Sequence, residues 1–213
     1  MIILKDKGIG MAGLRERQKA RRNDRLLQAA STLFGQMGYD AARIDAIAEA
    51  AEVSVGTFYN YFENKADLLL AIVGMEVEEV LHQGEAVVAA PPGSVVEALT
   101  QLVFTYYDHS LVYLTKEMWR TAMAMAIQHP ETPFSRRYHD LDQRLAAQVV
   151  AMMRALQLRG ALPARVDAGA IGLMLFNDLN ATFTLFALRE EMTLSALKAE
   201  LRGRIEALVR LIG

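Results

Sequence analysis

The sequence predicts an all-α protein with about nine helices, three short ones followed by about six longer ones. Apolar residues recur at three- and four-residue spacing along the chain, which is the period of a helix with one buried face. We find no run of alternating, β-branched residues between turn signals, as a strand would require. The chain has 213 residues, of which 53% are apolar, so it is large enough to bury a substantial core.

The first predicted helix ends at Gly38, a residue suited to a helix C-cap. Its apolar stripe consists of Leu26, Leu27, Ala30, Leu33, Phe34 and Met37. The basic segment RERQKARRNDR, from Arg15 to Arg25, precedes this stripe and can extend the helix toward the amino terminus. We assign residues 1–20 to a basic N-terminal arm.

Two short helices follow, in RIDAIAEAA and VGTFYNYF, and the three residues EVS lie between them. This arrangement predicts a helix-turn-helix over about residues 44–63. The fourth helix is predicted to begin after Asn64, a good N-cap residue, with Asp67 placed to reach back as in a capping box. We expect it to continue to about Ala90.

Local signals also predict the ends of the later helices. The sequence PPG breaks the chain before SVVE, in which Ser94 and Glu97 match a capping box. Further on, Thr132 precedes Pro133, as expected of a cap and a first helical residue. Gly160 and Asp167 mark the end of that helix and the cap of the next. The last helix carries a regular apolar stripe, formed by Leu194, Leu197, Leu201, Ile205, Leu208 and Ile212.

The charge distribution separates a basic head from an acidic body. Residues 1–65 hold ten Lys and Arg against eight Asp and Glu, and the remaining residues hold 13 against 17. The basic segment from Arg15 to Arg25 suits the attraction of a phosphate backbone. The chain has no cysteine, and its first apolar run is too short for a signal peptide, so we expect a cytoplasmic protein. The apolar stretch Ala168–Leu188 carries Asn177, Asp178 and Asn180, so we expect an oligomer interface there and no membrane contact.

Helical geometry divides the side chains of VGTFYNYF by direction. At about 100° per residue, Phe58 and Phe62 point together toward the core. The residues on the opposite face are small or polar, namely Gly56, Thr57 and Asn60, and the flanks are Tyr59 and Tyr61. In a helix-turn-helix such a face enters the major groove of DNA, where polar side chains reach base edges. Lys65, at the start of the next helix, can meet a phosphate there.

The segment from Leu26 to Leu69 resembles the amino-terminal helix-turn-helix domain of the TetR family of transcriptional regulators. The resemblance rests on Phe34, Gly38 and Tyr39 at the end of the first helix, on IAEAAEVS, and on GTFYNYFENK leading to Lys65. It implies that Ser54, Val55, Gly56, Thr57 and Asn60 face the groove, and that Tyr59, Tyr61 and Lys65 hold the phosphate backbone. With the basic lead-in, the candidate DNA-binding residues are Arg21, Arg22, Arg43, Ser54, Val55, Gly56, Thr57, Tyr59, Asn60, Tyr61 and Lys65.

Two adjacent positions depart from the family pattern. The family usually has a Thr-Thr pair where this chain has Ala42 and Arg43, so a hydroxyl cap is missing. Arg43 either replaces it with a charge-assisted phosphate contact or is an ordinary solvated residue at a helix start. Tyr61 has a similar alternative, with its ring partly in the core and its hydroxyl in solvent.

The resemblance further implies a DNA-binding domain over residues 21–81 and a larger helical domain over 82–213 that binds a ligand and forms a homodimer through the last two helices. A segment rich in aromatic residues and Met suits an apolar ligand pocket. The candidate ligand residues are Phe104, Tyr107, His109, Trp119, Met123, Met152, Asn177 and Asn180. Each of the apolar ones can instead be plain core.

These observations predict a ligand-responsive transcriptional repressor that binds a pseudo-palindromic operator in double-stranded DNA as a homodimer and is released by a small-molecule effector. We expect the fourth helix to transmit the ligand signal. No cofactor and no metal site are expected. The alternatives are a helical protein-interaction module and a small helical enzyme. The enzyme lacks support because the sequence contains no GxSxG motif and no P-loop.

Overall fold

The computed structural model describes residues 8–213, with side chains from Leu14 onward. Within that part of the chain the protein is all-helical, with nine helices, as predicted. The first helix is not short as predicted: it spans 30 residues, because the basic segment before Leu26 is also helical. Their bounds are α1 Gly8–Met37, α2 Ile44–Ala50, α3 Val55–Tyr59, α4 Lys65–Ala89, α5 Val95–His109, α6 Lys116–Gln128, α7 Pro133–Leu158, α8 Ala168–Leu188 and α9 Leu194–Ile212.

The chain divides into two compact units, the first ending at Ala71 and the second running from Ile72 to Gly213. Helix α4 begins in the first unit and continues into the second. The boundary that we predicted after residue 81 lies further along this same helix and stays a prediction. Of the predicted arm, residues 1–7 lie outside the described residues, and residues 8–20 are part of α1.

In the first unit α2 packs against both α1 and α3. Its core is formed by residues with almost no exposure, among them Leu26, Phe34, Ile47, Phe58 and Leu68. Gly38 follows α1 with a φ of 84°, a conformation that a residue with a Cβ rarely adopts, so it ends the helix as predicted.

The predicted caps of α5, α7 and α8 are present. At the start of α4, Asn64 Oδ1 accepts from the backbone N–H of Asp67, but the Asp67 carboxylate accepts from the N–H of Glu63 and not, as predicted, from that of Asn64. Ser94 and Glu97 form a reciprocal capping box at the start of α5. Thr132 accepts a hydrogen bond from the backbone of Ser135 at the start of α7, with Pro133 as the first helical residue. Asp167 caps α8 through the backbone N–H groups of Gly169 and Ala170. Such side-chain caps satisfy N–H groups that would otherwise lack a partner in the first turn.

In the second unit α7 packs mainly along α8, α6 contacts both, and α9 packs on α5 and α8. Gly172 makes the close approach of α7 and α8 possible, because a Cβ there would lie 2.9 Å from the Cα of Val150. Helix α8 is long and apolar enough to cross a membrane, and 44% of its apolar window is buried inside the protein. That burial is typical of a core helix that also presents an outer apolar face.

Candidate nucleic-acid interface and effector cavity

The turn between α2 and α3 is held by backbone and side-chain hydrogen bonds. Ser54 caps α3, its Oγ accepting from the backbone N–H of Thr57 at 3.1 Å, and the two hydroxyl oxygens lie 2.9 Å apart. Glu52 in the turn has a φ of 54°, and its carboxylate pairs with Arg25 of α1 at 2.9 Å. These contacts hold the turn, and α3 packs against α2 in a helix-turn-helix.

Helix α3 ends at Tyr59, earlier than the predicted helical segment, which extended to Phe62. The backbone tightens there: Asn60 N–H donates to Thr57 and Tyr61 N–H donates to Phe58, both across three residues. Such bonds are common in a last helical turn. The recognition helix is therefore short, and Asn60 is its C-cap.

Phe58 and Phe62 are buried, in agreement with their predicted direction toward the core. The side of α3 away from them is exposed at Ser54, Val55 and Gly56. Tyr59 and Asn60 are exposed as well, and 54% of Tyr59 is accessible. Thr57 is half-buried. The candidate groove-facing residues thus form one continuous surface, with Thr57 partly engaged in capping.

The ring of Tyr61 lies partly in the core, as in the second interpretation given above for this residue. Its ring is half-buried beside Phe62, and its hydroxyl donates to the carbonyl oxygen of Lys19 at 3.3 Å. The hydroxyl is therefore tied to α1, although Tyr61 is still placed on the flank of the α3 surface. Its phosphate contact stays a prediction.

The ammonium group of Lys65 forms hydrogen bonds within the protein. Its ammonium donates to the carbonyl oxygens of Tyr39 at 2.7 Å and Asp40 at 3.1 Å, and it lies 4.6 Å from the centre of the Tyr39 ring. The side chain is half-buried. Lys65 therefore holds the loop between α1 and α2, a role that the sequence did not suggest, and any phosphate contact would share the ammonium with these carbonyls.

The remaining candidate cations differ in their partners. Arg21 and Arg22 are exposed on α1. Arg43 is also exposed, but its guanidinium contacts the Asp45 carboxylate at 2.8 and 3.0 Å. This hydrogen-bonded pair holds the pKa of Asp45 below its ordinary value. Arg43 therefore stands at the start of α2 with an acidic neighbour, and a phosphate would have to compete with Asp45.

The second unit contains a cavity of about 80 Å³ among α4 to α8. Its walls are mostly apolar and aromatic. Trp119 stands edge-on to Phe183, with ring centres 5.2 Å apart, and Tyr107 lies 5.4 Å from the same ring. The wall residues further include Val73, Val77, Val80, Tyr106, Tyr138, Leu141, Leu145, Phe176 and Leu179.

Glu76 is the most unusual polar group in the cavity wall, because only 2% of it is exposed. Its Oε1 lies 2.9 Å from Nδ1 of His109, whose Nε2 lies 3.0 Å from Glu79 on the far side. No group in the described part of the chain hydrogen-bonds to Glu76 Oε2. Burial outweighs the nearby His109 and raises the pKa of Glu76 to about 7.

A second carboxylate, Asp142, lines the cavity from α7. The amide of Asn180 donates to both of its oxygens, at 3.2 and 3.3 Å. Burial raises the pKa of Asp142. Two carboxyl groups thus line the cavity, and Asp142 accepts from a neighbouring amide.

The candidate ligand residues fall into two groups. Tyr107, Trp119 and Asn180 line the cavity. The hydroxyl of Tyr107 donates to the Leu179 carbonyl at 3.0 Å, and the indole N–H of Trp119 donates to the Ser110 carbonyl at 2.7 Å.

The other candidates lie elsewhere in the second unit. Phe104 faces a surface cleft with Lys198 over its ring, and His109 lies behind Glu76. The sulfur of Met123 accepts a hydrogen bond from the hydroxyl of Thr184. Met152 is fully buried in the core, and Asn177 is exposed on α8. The structure does not place these residues among those lining the cavity.

Sequence reasoning missed Glu76, Asp142 and Tyr138. A signal for Glu76 was present, since it shares the buried stripe of α4 with Val73, Val77 and Val80. A carboxylate on an apolar stripe has to find a partner or a ligand. Asp142 sits in the same way between Tyr138 and Leu145 on α7.

Within residues 8–213 the structure contains no group of three or more His, Asp or Glu side chains that could hold a metal ion. The histidines do not converge on a catalytic arrangement either: His109 is enclosed between two carboxylates, while His82, His129 and His139 are exposed.

Comparison with known proteins supports the regulatory interpretation. Residues 26–72 match the sequence model of "Bacterial regulatory proteins, tetR family". The HTH-type transcriptional repressor KstR of Mycolicibacterium smegmatis is 37% identical over 78 residues, which are 37% of this chain and 36% of that protein. The chain thus matches about a third of this curated relative's length.

Solved structures share the fold over most of the chain. A TetR-family transcriptional regulator from Mesorhizobium loti superimposes with a TM-score of 0.72 at 23% identity, covering 91% of this chain and 98% of that one. Thermus thermophilus FadR, a TetR-family repressor in complex with lauroyl-CoA, gives a TM-score of 0.62 at 21% identity, with 89% and 92% covered. Residues 26–72 thus carry the sequence pattern of the TetR family, and these structures show that their fold extends over most of the chain.

Proposed function

We propose that the protein is a ligand-responsive transcriptional repressor that acts in the cytoplasm, binds a pseudo-palindromic DNA operator as a homodimer and is released by a small molecule. The observation that carries the proposal is the exposed surface of α3, formed by Ser54, Val55, Gly56, Tyr59 and Asn60 and held in place by buried Phe58. Small and polar residues at the start of a recognition helix allow close approach to base edges. The family relatives named as repressors support this assignment and favour neither an enzyme nor a protein-interaction module.

A homodimer is supported by the outer surface of the last two helices. Helix α8 exposes Leu173, Met174, Leu185 and Leu188, and Leu211 is exposed on α9. Apolar surface of this extent on two adjacent helices is typical of a subunit interface. Two recognition helices then read half-sites about 34 Å apart in successive major grooves.

Release by a ligand is supported by the position of the cavity against α4. Val73, Glu76, Val77 and Val80 of this helix line the cavity, and the same helix begins at Lys65 in the DNA-binding unit. We propose that an effector changes the position of α4 and thereby the spacing of the recognition helices. The effector must bind the conformer with low DNA affinity more tightly, and DNA must weaken effector binding by the same factor.

The DNA-binding test uses the full-length protein and a labelled fragment of the DNA upstream of its own gene. We expect a mobility shift that weakens steeply with salt, as phosphate contacts require. The Asn60→Ala and Tyr59→Ala variants should lose about tenfold or more in affinity, which corresponds to about 1 to 3 kcal/mol per lost contact. The control is Gln143→Ala, an exposed change on α7. Unchanged binding by both α3 variants would contradict the proposed surface.

A further inference from the structure

We propose that the cavity binds an organic cation, an apolar molecule that carries an ammonium group, with Glu76 as its counter-ion. The inference deepens the proposed function by naming the chemical class of the effector, and it rests on that function. It follows from the two carboxyl groups that line the cavity and from the absence of Lys, Arg and His among its lining residues.

The first step concerns the unpartnered oxygen of Glu76. Both carboxylate oxygens are inaccessible to water, and Oε2 has no hydrogen-bond donor within reach in the described part of the chain. A buried acceptor without a donor is costly, and most buried polar groups in proteins are satisfied. Because Glu76 lines the cavity, a donor on a bound molecule can satisfy it there.

The second step concerns charge. Two carboxyl groups line the cavity, those of Glu76 and Asp142, whereas no Lys, Arg or His is among its lining residues. His109 behind Glu76 does not neutralise the site, because it also contacts Glu79 at 3.0 Å. One imidazole is therefore shared between the carboxyl groups of Glu76 and Glu79. Anionic head groups are therefore repelled, and a cation is attracted.

The third step concerns the walls. Trp119, Tyr107 and Phe183 form an aromatic cluster within the cavity lining. Aromatic faces attract cations as well as apolar groups. The hydroxyl of Tyr107 and the indole N–H of Trp119 already donate to backbone carbonyls, so neither residue has a donor left for a bound molecule. The combination suits an apolar body with one cationic donor group.

The test compares three compounds with the same phenylpropyl body: phenylpropylammonium, phenylpropanol and phenylpropionate. Binding to the full-length protein is followed through the fluorescence of Trp119, the single tryptophan of the chain. We expect the ammonium compound to bind at least about tenfold more tightly than the alcohol, as a charge-assisted hydrogen bond implies, and the carboxylate to bind most weakly.

Variants separate the proposed anchor from general apolar binding. Glu76→Gln keeps the shape of the side chain and should abolish the preference for the ammonium compound. Glu85→Gln, an exposed change on the same helix, should retain it. Equal or tighter binding of the alcohol or the carboxylate by the unmodified protein, an unchanged preference in Glu76→Gln, or no binding of the ammonium compound would each overturn the inference.

The DNA-mobility assay without any added compound distinguishes a failure of the cation inference from a failure of the proposed function. If the protein shifts its upstream DNA but the ammonium compound fails in the fluorescence test, only the cation inference is overturned. If the compound binds through Glu76 but DNA is not shifted, the cavity assignment stands and the regulatory function is overturned.

Discussion

The Lys65 ammonium lies 2.7 Å from the carbonyl oxygen of Tyr39, which joins the start of α4 to the loop between α1 and α2. The family resemblance implies a phosphate contact for Lys65, whereas the structure shows a tie within the DNA-binding unit. A charged donor on two backbone carbonyls fixes the loop that leads into the helix-turn-helix. The two roles predict different outcomes when Lys65 is replaced.

Replacing Lys65 with Met should destabilise the DNA-binding unit by about 1 to 3 kcal/mol, because two backbone carbonyls lose a charged donor. The measurement is amide hydrogen exchange of peptides from residues 26–72, in the absence of DNA. Arg21→Met, on the exposed surface of α1, serves as the control and should leave exchange unchanged. If Lys65→Met lowers only the affinity for DNA, the phosphate contact is the main role.

Removing the exposed cations of α1 should weaken DNA binding without changing sequence preference. Arg21→Ala and Arg22→Ala should each reduce the slope of log affinity against log salt by about one, because each contacted phosphate releases about one counterion. Anisotropy titrations at several salt concentrations measure the slope. Arg136→Ala, on α7 in the second unit, is the matched control. An unchanged slope in both α1 variants would show that these two arginines do not contact DNA phosphates.

Replacing Gly172 with Ala should destabilise the second unit by about 1 to 3 kcal/mol, because the new Cβ would meet the backbone of Val150 on α7. Gly203→Ala is the matched change, since nothing lies within 4 Å of a Cβ at that position of α9. It should stabilise the protein by roughly 0.5 to 1 kcal/mol through the lower entropy of the unfolded chain. Denaturant titrations followed by circular dichroism compare the two, and equal effects would contradict the close approach.

Charges placed on the outer surface of α8 should separate the proposed dimer. Met174→Glu and Leu188→Glu alter side chains that are 63% and 60% exposed, so the fold of one chain should tolerate them. The Leu158→Glu variant, 89% exposed on α7, is the control. Sedimentation velocity measures the mass of the assembly. A dimer that persists in both α8 variants would place the interface elsewhere.

The stability of the second unit should depend on pH through Glu76. Its folded pKa of about 7 lies above the ordinary 4.5, so the folded state binds the proton more tightly. The contribution of Glu76 to the free energy of unfolding is therefore fully present below about pH 4.5, and it is lost as the pH rises to about 7. Its titratable neighbours are His109 and Glu79, and Asp142 also lines the cavity.

The Glu76→Gln variant removes this titration. Relative to the unmodified protein, it should gain roughly 2 to 3 kcal/mol in stability between pH 5 and pH 8. Denaturation followed by Trp119 fluorescence measures the difference, and a His109→Asn background separates the contribution of the histidine. Glu85→Gln should show no such pH dependence, since exposed pairs contribute little. A pH-independent effect of Glu76→Gln would show that the carboxyl group titrates normally.

Much of the fold was predictable because helix ends depend on neighbours in sequence. Ser94 with Glu97, Thr132 with Pro133, and Gly38 each act within one helical turn, and the structure confirms all of them. The end of α3 was predicted too late. The backbone N–H groups of Asn60 and Tyr61 donate across three residues, a change that the periodicity of the sequence does not describe.

The sequence by itself determined the helical class, the caps, the burial of Phe58 and Phe62, and the family to which the DNA-binding unit belongs. Only the tertiary structure decided that Lys65 holds the carbonyls of Tyr39 and Asp40, and that Glu76 meets His109 beside an apolar cavity. The physical reason is distance along the chain: caps and periodicity act over a few residues, whereas these pairs join residues that are far apart in sequence. A hydrophobic stripe encodes which face is buried but not which polar atom lies opposite.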